Sequence, residues 1–179
     1  MTMELNIDYA STGLDICAAK LDMASKYPDK SDRPDFVLWN GLHVKTADQW
    51  RVPVRGRVRI EILSSKPEVE QGIDFRVDMG AVKLAGGEEV SLLRTWADDR
   101  YEGVVEYPYY SQSGDVFVSN VYKIALPNGQ KREEKWTGNA GCVIDSASSR
   151  ERIYHCSHGV ADRPDFDSLV FRVTILPEE

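Results

Sequence analysis

The chain has 179 residues, of which 42% are hydrophobic and 28% charged, so it is long enough to bury one sizeable core. Its 29 acidic residues outnumber its 22 basic ones, and the net charge of −7 disfavours non-specific binding to a phosphate backbone. We therefore expect a single β-rich domain over residues 1–179 that binds neither nucleic acid nor an anionic membrane surface.

The N-terminal residues and the cysteines bear on cellular location. The segment MTMELNIDYAST lacks the basic leader and apolar run of a secretory signal peptide, and no stretch is apolar enough to span a bilayer. Three cysteines in such a chain predict reduced thiols in a cytoplasmic protein, with signal-independent export left open. Cys142 and Cys156 are placed to face each other across a hairpin, so a disulfide between them is the alternative.

The chain begins with a predicted short strand over residues 5–9, which is followed by the one predicted helix. Thr12 and Asp15 have the spacing of a capping box, in which two side chains bond the first free backbone N–H groups of a helix. Apolar residues then recur at helical intervals, which predicts their burial on one face: Leu14, Cys17, Ala18, Leu21 and Ala24.

The pentapeptide Asp-Arg-Pro-Asp-Phe occurs twice, at 32–36 and 162–166, although the flanking residues share no pattern. Proline fixes a turn conformation and pushes the residue before it into an extended one, so each copy is predicted to precede a strand. Calcium is the alternative, because it favours carboxylate oxygens. We expect no cofactor otherwise, and the candidate calcium ligands are Asp32, Asp35, Asp162 and Asp165.

The middle of the chain alternates between apolar and charged residues, as half-buried strands do. One such strand covers residues 52–62 and a second covers residues 73–81. The linker between them is polar and contains Pro and Gly, so we expect the two strands to pair as an antiparallel hairpin.

A row of arginines, Arg55, Arg57 and Arg59, follows the charged face of the first of these strands. Such a row is able to grip a carboxylate or a phosphate group. In the predicted hairpin, however, Asp74 and Asp78 lie opposite the arginines. We therefore interpret the row as a solvated ladder of cross-strand ion pairs.

Further strands complete a mainly β pattern. Residues 101–107 alternate, residues 116–126 are partly apolar on both faces as in an interior strand, and residues 169–175 form a closing strand. Asn128-Gly129 marks a tight turn. Together these elements predict an antiparallel β-sandwich or closed β-barrel of about eight to ten strands with one short N-terminal helix.

Aromatic residues near strand ends provide the candidate ligand-binding surface. Tyr107, Tyr109 and Tyr110 precede the polar turn at residues 111–114, and the segment containing Trp136 and Asn139 is expected to join them. Exposed Tyr and Trp side chains beside polar residues are typical of surfaces that bind glycans or proteins. The alternative is that these aromatic residues only close one end of the fold.

The segment His155-Cys156-Ser157-His158 contains the candidate catalytic residues His155, Cys156 and His158. Cysteine and histidine are zinc ligands, and a nucleophilic cysteine requires a nearby base. Residues 155 and 158 are an odd number apart, however, and on a strand they point to opposite faces. We therefore expect the end of a strand with Cys156 buried, unless the chain turns at Gly159 and brings the side chains together.

No phosphate-binding loop, nucleophile elbow or metalloprotease helix is present in the sequence. We therefore expect a non-catalytic binding domain that recognises a glycan or protein through aromatic strand-end loops. One alternative is a small β-barrel enzyme whose acid–base residues, such as His155 or His158, lie in the barrel mouth. A second alternative is an acidic inhibitor or immunity-type protein that binds a basic partner.

Overall fold

The computed structural model describes residues 7–98 and 103–178. Within them, a 3-10 turn at Tyr9–Ser11 precedes one α-helix, α1 (Ile16–Lys26). Fourteen strands follow in this described part of the chain: β1 (Val37–Trp39), β2 (Leu42–Lys45), β3 (Asp48–Arg51), β4 (Arg55–Ser65), β5 (Gln71–Val77), β6 (Gly80–Lys83), β7 (Glu89–Val90), β8 (Leu92–Trp96), β9 (Val104–Ser111), β10 (Asp115–Ala125), β11 (Lys131–Glu134), β12 (Gly141–Ser148), β13 (Glu151–Ser157) and β14 (Leu169–Leu176).

The described strands form two antiparallel sheets that pack against each other as a β-sandwich. One sheet has nine strands in the order β1-β2-β12-β13-β14-β4-β9-β6-β7, and the other has the order β11-β10-β5-β8 with β3 also paired to β10. The predicted mainly β class is confirmed, and its sandwich form is the one adopted. In residues 7–98 and 103–178, no helix has the length and apolar character needed to cross a bilayer.

The main hydrophobic core lies between the inward faces of the two sheets. β14 follows the predicted alternation, because every second side chain from Leu169 to Ile175 is buried. Ile73, Phe75 and Val77 of β5 are buried in the same core. Full burial of an apolar side chain of this size stabilises the fold by roughly 1.5–3 kcal/mol.

A second, smaller core lies under α1, which packs against β1 and β2 at one end of the nine-stranded sheet. The helix was predicted correctly, but the predicted buried face was wrong. Ile16, Ala19 and Met23 face the sheet, whereas Leu21 is 67% exposed. The buried face is set by packing against β1 and β2, which the spacing within the helix does not reveal. The cap also differs from the predicted one, since the N-cap is Asp15, whose carboxylate accepts a hydrogen bond from the Ala18 N–H at 2.7 Å.

The predicted N-terminal strand is also not confirmed where it can be checked. Tyr9 begins the 3-10 turn and is buried in the smaller core, while Leu5 lies outside the described residues. Asp8 stabilises this turn, since its carboxylate accepts from the N–H of Ala10 at 3.0 Å and from the N–H groups of Asn40 and Gly41 at 2.9 Å. These bonds lower the pKa of Asp8 against the opposing effect of desolvation.

The predicted hairpin between residues 52–62 and 73–81 is wrong. β4 pairs with β14 and β9 in the nine-stranded sheet, whereas β5 pairs with β10 and β8 in the other sheet. The polar linker thus crosses between sheets instead of turning within one. Alternation identifies the buried face of a strand but leaves its neighbour unspecified.

The arginine row lies on the outward face of β4 and forms ion pairs, as predicted, but with other partners. Arg57 contacts Glu106 on β9 at 3.0 Å, and Arg59 lies 3.6 Å from Glu61 on its own strand. Asp74, the predicted partner, belongs to the five-stranded sheet and contacts Arg94 at 2.7 Å. The row is therefore a partly solvated ladder on the outside of the nine-stranded sheet.

β12 and β13 are cross-linked by a disulfide between Cys142 and Cys156, which stand directly opposite each other with Cα atoms 4.2 Å apart. The expectation of reduced thiols is therefore wrong for this pair, and the alternative, a disulfide across the hairpin, is what the structure shows. The remaining cysteine, Cys17, is free and half-buried.

Removing this disulfide is predicted to destabilise the protein. Replacing both Cys142 and Cys156 by serine is expected to lower the free energy of unfolding by about 3 kcal/mol, because the cross-link restricts the unfolded chain. Denaturant unfolding measures the difference, and Cys17→Ser is the matched control. A double variant as stable as the wild type would contradict the prediction.

A buried charge links the two sheets. Asp48 on β3 accepts hydrogen bonds from the Tyr154 hydroxyl at 2.6 Å and from Arg152 Nη1 at 2.7 Å, both on β13. Arg152 also lies over the Trp50 ring at 4.6 Å, a cation–π contact that holds the guanidinium beside Asp48. Burial and the neighbouring Asp48 carboxylate raise the pKa of Tyr154 well above its usual value.

Breaking this cluster is predicted to be more damaging than breaking a pair on the surface. Asp48→Asn is expected to lower the free energy of unfolding by about 3 kcal/mol, because it removes the charge of a fully buried carboxylate to which both Arg152 and Tyr154 donate. Arg57→Ala, which removes the outward pair with Glu106, is expected to change it by less than about 1 kcal/mol. Equal losses for both variants in urea unfolding would contradict the assignment.

Candidate functional site

The predicted tyrosine surface lies on a strand instead of a loop. Tyr109 is in the interior of β9, only 4% exposed, and its hydroxyl donates to the Pro53 carbonyl at 2.9 Å. Burial raises the pKa of Tyr109 to about 12. Tyr107 packs against the same core, whereas Tyr110 points outward and is half-buried beside Arg55. The structure therefore does not gather these tyrosines on one surface.

Asn139 is buried, and both ends of its amide form hydrogen bonds. Its oxygen accepts from the Ile16 N–H at 3.3 Å, and its nitrogen donates to the carbonyls of Ala161 at 2.9 Å and Asp162 at 3.2 Å. Asn139 thus connects the first turn of α1 to the second copy of the repeated pentapeptide. Its contacts are those of a residue that holds the local structure together.

The two pentapeptide copies precede strands, as predicted. The first leads directly into β1, and the second is separated from β14 by a short turn. Asp35 pairs with Lys45 at 3.0 Å and Asp165 with Lys66 at 2.6 Å. In residues 7–98 and 103–178, no three His, Cys, Asp or Glu side chains are grouped to hold a metal ion.

The candidate catalytic residues do not converge. His155 points outward from β13 with its Nε2 3.2 Å from Asp145, while Cys156 points inward and is held in the disulfide. His158 follows the strand and is buried beside Tyr122, with ring centroids 6.3 Å apart. The odd spacing therefore separates His155 from His158, as the sequence predicted.

Burial of His158 predicts a dependence of stability on pH. Desolvation lowers the pKa of His158 below 6.5, so the unfolded chain binds a proton more readily as the pH falls through this region. Stability conferred by neutral His158 is complete above pH 6.5 and is lost below it, at no more than about 1.4 kcal/mol per pH unit. His158→Gln is expected to flatten this slope between pH 7.5 and 5.5 in urea unfolding, and an unchanged slope would contradict the assignment.

A concave site is built instead on one edge of β10. β10 pairs with β5 along one edge. Along its other edge, residues 115–118 pair with β3 and residues 122–125 pair with β11. Residues 119–121 are left between the two partner strands and are nevertheless buried. α1 and the segment 135–138, which leads from β11 towards β12, lie beside this gap.

The segment 135–138 is held in place by backbone and hydroxyl contacts. The Tyr122 hydroxyl hydrogen-bonds the Thr137 side chain, and the Cys17 N–H of α1 donates to the Gly138 carbonyl at 2.9 Å. Gly138 has a φ of 55°, and a Cβ there would collide with the Gly159 carbonyl. The local structure thus requires glycine at position 138.

Trp136 adopts a rare backbone conformation within this segment. Its φ of 66° lies in the left-handed region, which bulky residues seldom adopt, and its side chain is 46% exposed. The Lys135 ammonium lies 4.3 Å from the centre of the indole ring, a cation–π contact. Strained backbone of this kind is common at functional sites, where surrounding contacts hold it in place.

The depression beside Trp136 has a volume of about 270 Å³ and lies on the outward face of β5 and β10. Phe117 and Ser119 contribute to its lining, and the Arg76 guanidinium covers the Phe117 ring at 4.3 Å. Aromatic surface and hydrogen-bonding groups therefore meet in one concavity. We call these residues, together with Trp136 and Lys135, the Trp136 site.

Asp74 provides the electrostatic centre of the Trp136 site. It is 1% exposed although it lies on the outward face of β5, because cationic side chains cover it. Arg94 donates to both carboxylate oxygens at 2.7 Å, and Lys135 Nζ contacts Oδ2 at 3.2 Å. This carboxylate raises the pKa of Arg94 and holds Lys135 next to the indole ring.

Sequence reasoning found only part of this site. Trp136 was a candidate from its polar, Gly-containing surroundings, but it was grouped with the tyrosines of β9, which lie on the other sheet. Asp74 was interpreted only as an ion-pair partner of the arginine row, and Phe117 only as part of an interior strand. No local signal reveals that β5, β10 and α1 meet beside the segment 135–138.

No protein-family model matches the chain, and neither a known protein nor a solved structure matches it. The functional assignment therefore depends on the geometry of the chain's own residues.

Proposed function

We propose that the protein is a non-catalytic binding domain that recognises a glycan at the Trp136 site. The observation that carries this proposal is the half-exposed Trp136, held in a left-handed backbone conformation beside a concavity whose lining combines apolar surface with charged and hydroxyl side chains. A rigid aromatic ring offers a large apolar surface at low entropic cost, which suits the C–H face of a sugar ring.

The polar lining of the site supports a ligand rich in hydroxyl groups. Arg76 and Lys135 supply hydrogen-bond donors, and the Ser119 hydroxyl both donates and accepts. The volume of about 270 Å³ is near the lower end of small-molecule pockets. A protein partner would require a much larger contact area, roughly 800 Å² on each side. Size and chemistry together favour a sugar ring.

The carboxylates of the site support binding over hydrolysis. Glycoside hydrolases generally require two carboxyl groups on either side of the scissile bond. Among the described residues that line the depression, Asp74 is the one carboxylate, and both of its oxygens already accept hydrogen bonds from Arg94. Asp74 therefore acts by holding the Arg94 and Lys135 side chains in position.

The proposal predicts that binding depends on Trp136 and not on the tyrosines of β9. Trp136→Ala is expected to weaken binding of glycan-array hits by about thirtyfold or more, because removing a hot-spot aromatic anchor costs about 2 kcal/mol or more. Isothermal titration measures the loss, with circular dichroism to check folding. Tyr110→Ala, a half-buried aromatic residue on the nine-stranded sheet, is the control and should bind within about twofold of wild type.

Two outcomes would overturn the proposal. One is that no glycan on a broad array binds the wild-type protein. The other is that folded Trp136→Ala binds the hits as tightly as wild type does, which would place the ligand elsewhere.

A further inference from the structure

The Trp136 site continues into a second depression of similar volume, about 270 Å³. Lys20 on α1 and Ala47, between β2 and β3, line both depressions. The second depression extends from there along α1 to the first copy of the repeated pentapeptide, where Arg33 and Asp35 contribute. The two depressions therefore adjoin at Lys20 and Ala47, and we call them together the α1 groove.

The α1 groove is basic although the protein as a whole has a net charge of −7. Five cationic and two anionic side chains line it: Lys20, Lys30, Arg33, Arg76 and Lys135, with Asp35 and Asp74. Cations concentrated in a concavity attract anionic ligands, because low-dielectric walls focus their field.

The two carboxylates of the groove are each held by a cation outside its lining. Asp35 pairs with Lys45 at 3.0 Å, and Asp74 pairs with Arg94 at 2.7 Å. Lys135 also contacts Asp74. The two carboxylates that line the groove are therefore already paired, and they do not neutralise all five cations that line it.

Most of the lining cations have no carboxylate partner in the part of the chain that the structure describes. Lys20, Lys30, Arg33 and Arg76 take part in no ion pair within 4.0 Å among residues 7–98 and 103–178. Other contacts position three of them. Lys20 donates to the Thr46 hydroxyl, Arg33 to the Tyr27 carbonyl at 2.9 Å, and Arg76 stacks on Phe117.

We propose that the α1 groove binds an acidic glycan, an oligosaccharide whose sugars carry carboxylate or sulfate groups. One sugar ring packs against Trp136. The acidic groups along the oligosaccharide bind the cations of the second depression, Lys20, Lys30 and Arg33. Charge-assisted hydrogen bonds of this kind are about twice as strong as neutral ones. This inference rests on the proposed function and adds the charge of the ligand and the course of its chain.

The test compares three probes on the full-length protein: an oligouronate, a sulfated oligosaccharide and a neutral oligosaccharide of the same length. We expect the wild type to bind one or both acidic probes at least tenfold more tightly than the neutral one. The preference should shrink between 50 and 500 mM NaCl, since salt screens partly exposed charges.

Charge-removing variants locate the interaction. Lys30→Gln with Arg33→Gln is expected to weaken binding of the preferred acidic probe by about tenfold. Both residues line the second depression and not the one beside Trp136, so neutral-probe binding should stay within about twofold of wild type. Arg55→Gln with Lys83→Gln removes the same charge beside Tyr110 and is the matched control, expected to bind within about twofold of wild type. Thermal unfolding confirms that both double variants are folded.

The possible failures are distinguishable. Equal, salt-insensitive binding of acidic and neutral probes that is still lost in Trp136→Ala would overturn this inference and leave the glycan-binding proposal standing. Binding of poly-L-glutamate as tight as that of the acidic oligosaccharides would also overturn it, because charge without a sugar would then suffice. Failure of every glycan to bind would overturn the proposed function itself.

Discussion

The interrupted edge of β10 determines where the other parts of the candidate site lie. β3 and β11 each pair with only four residues of this long strand, so three residues between them must be covered by something other than a strand. Buried backbone groups need hydrogen-bond partners, and buried apolar surface needs contacts. α1 and the segment 135–138 lie at this gap. Their meeting produces both the concavity and the exposed position of Trp136.

Two cross-links maintain the frame around this gap. The Asp48 cluster joins β3 to β13 and so connects the two sheets, while the disulfide joins β13 to β12 within one sheet. β13 takes part in both. A buried charge cluster and a covalent bond thus both fix the position of β13 in the sandwich, which would suit the preorganised surface that we propose.

The sequence predicted the strands better than their arrangement. Two-residue alternation identified β4, β5 and β14 and their buried faces, because burial of one face is a local property of the chain. The partners of β4 and β5 were mistaken, since pairing depends on distant residues. The tyrosines of β9 were placed on a loop because Pro108 and the following polar turn obscured the alternation. Convergence at the Trp136 site depends on tertiary contacts alone.

The hydrogen bonds between the segment 135–139 and α1 limit how the proposed binding surface could diversify. The N–H groups of Ile16 and Cys17, which a free helix would leave without partners, donate to Asn139 and Gly138. An insertion or deletion in the segment would withdraw these acceptors and expose the start of the helix. Relatives with other specificities are therefore expected to keep the length of this segment. They would change ligands by exchanging side chains at positions such as 76, 117 and 136, in contrast to antibody domains, whose binding loops vary freely in length.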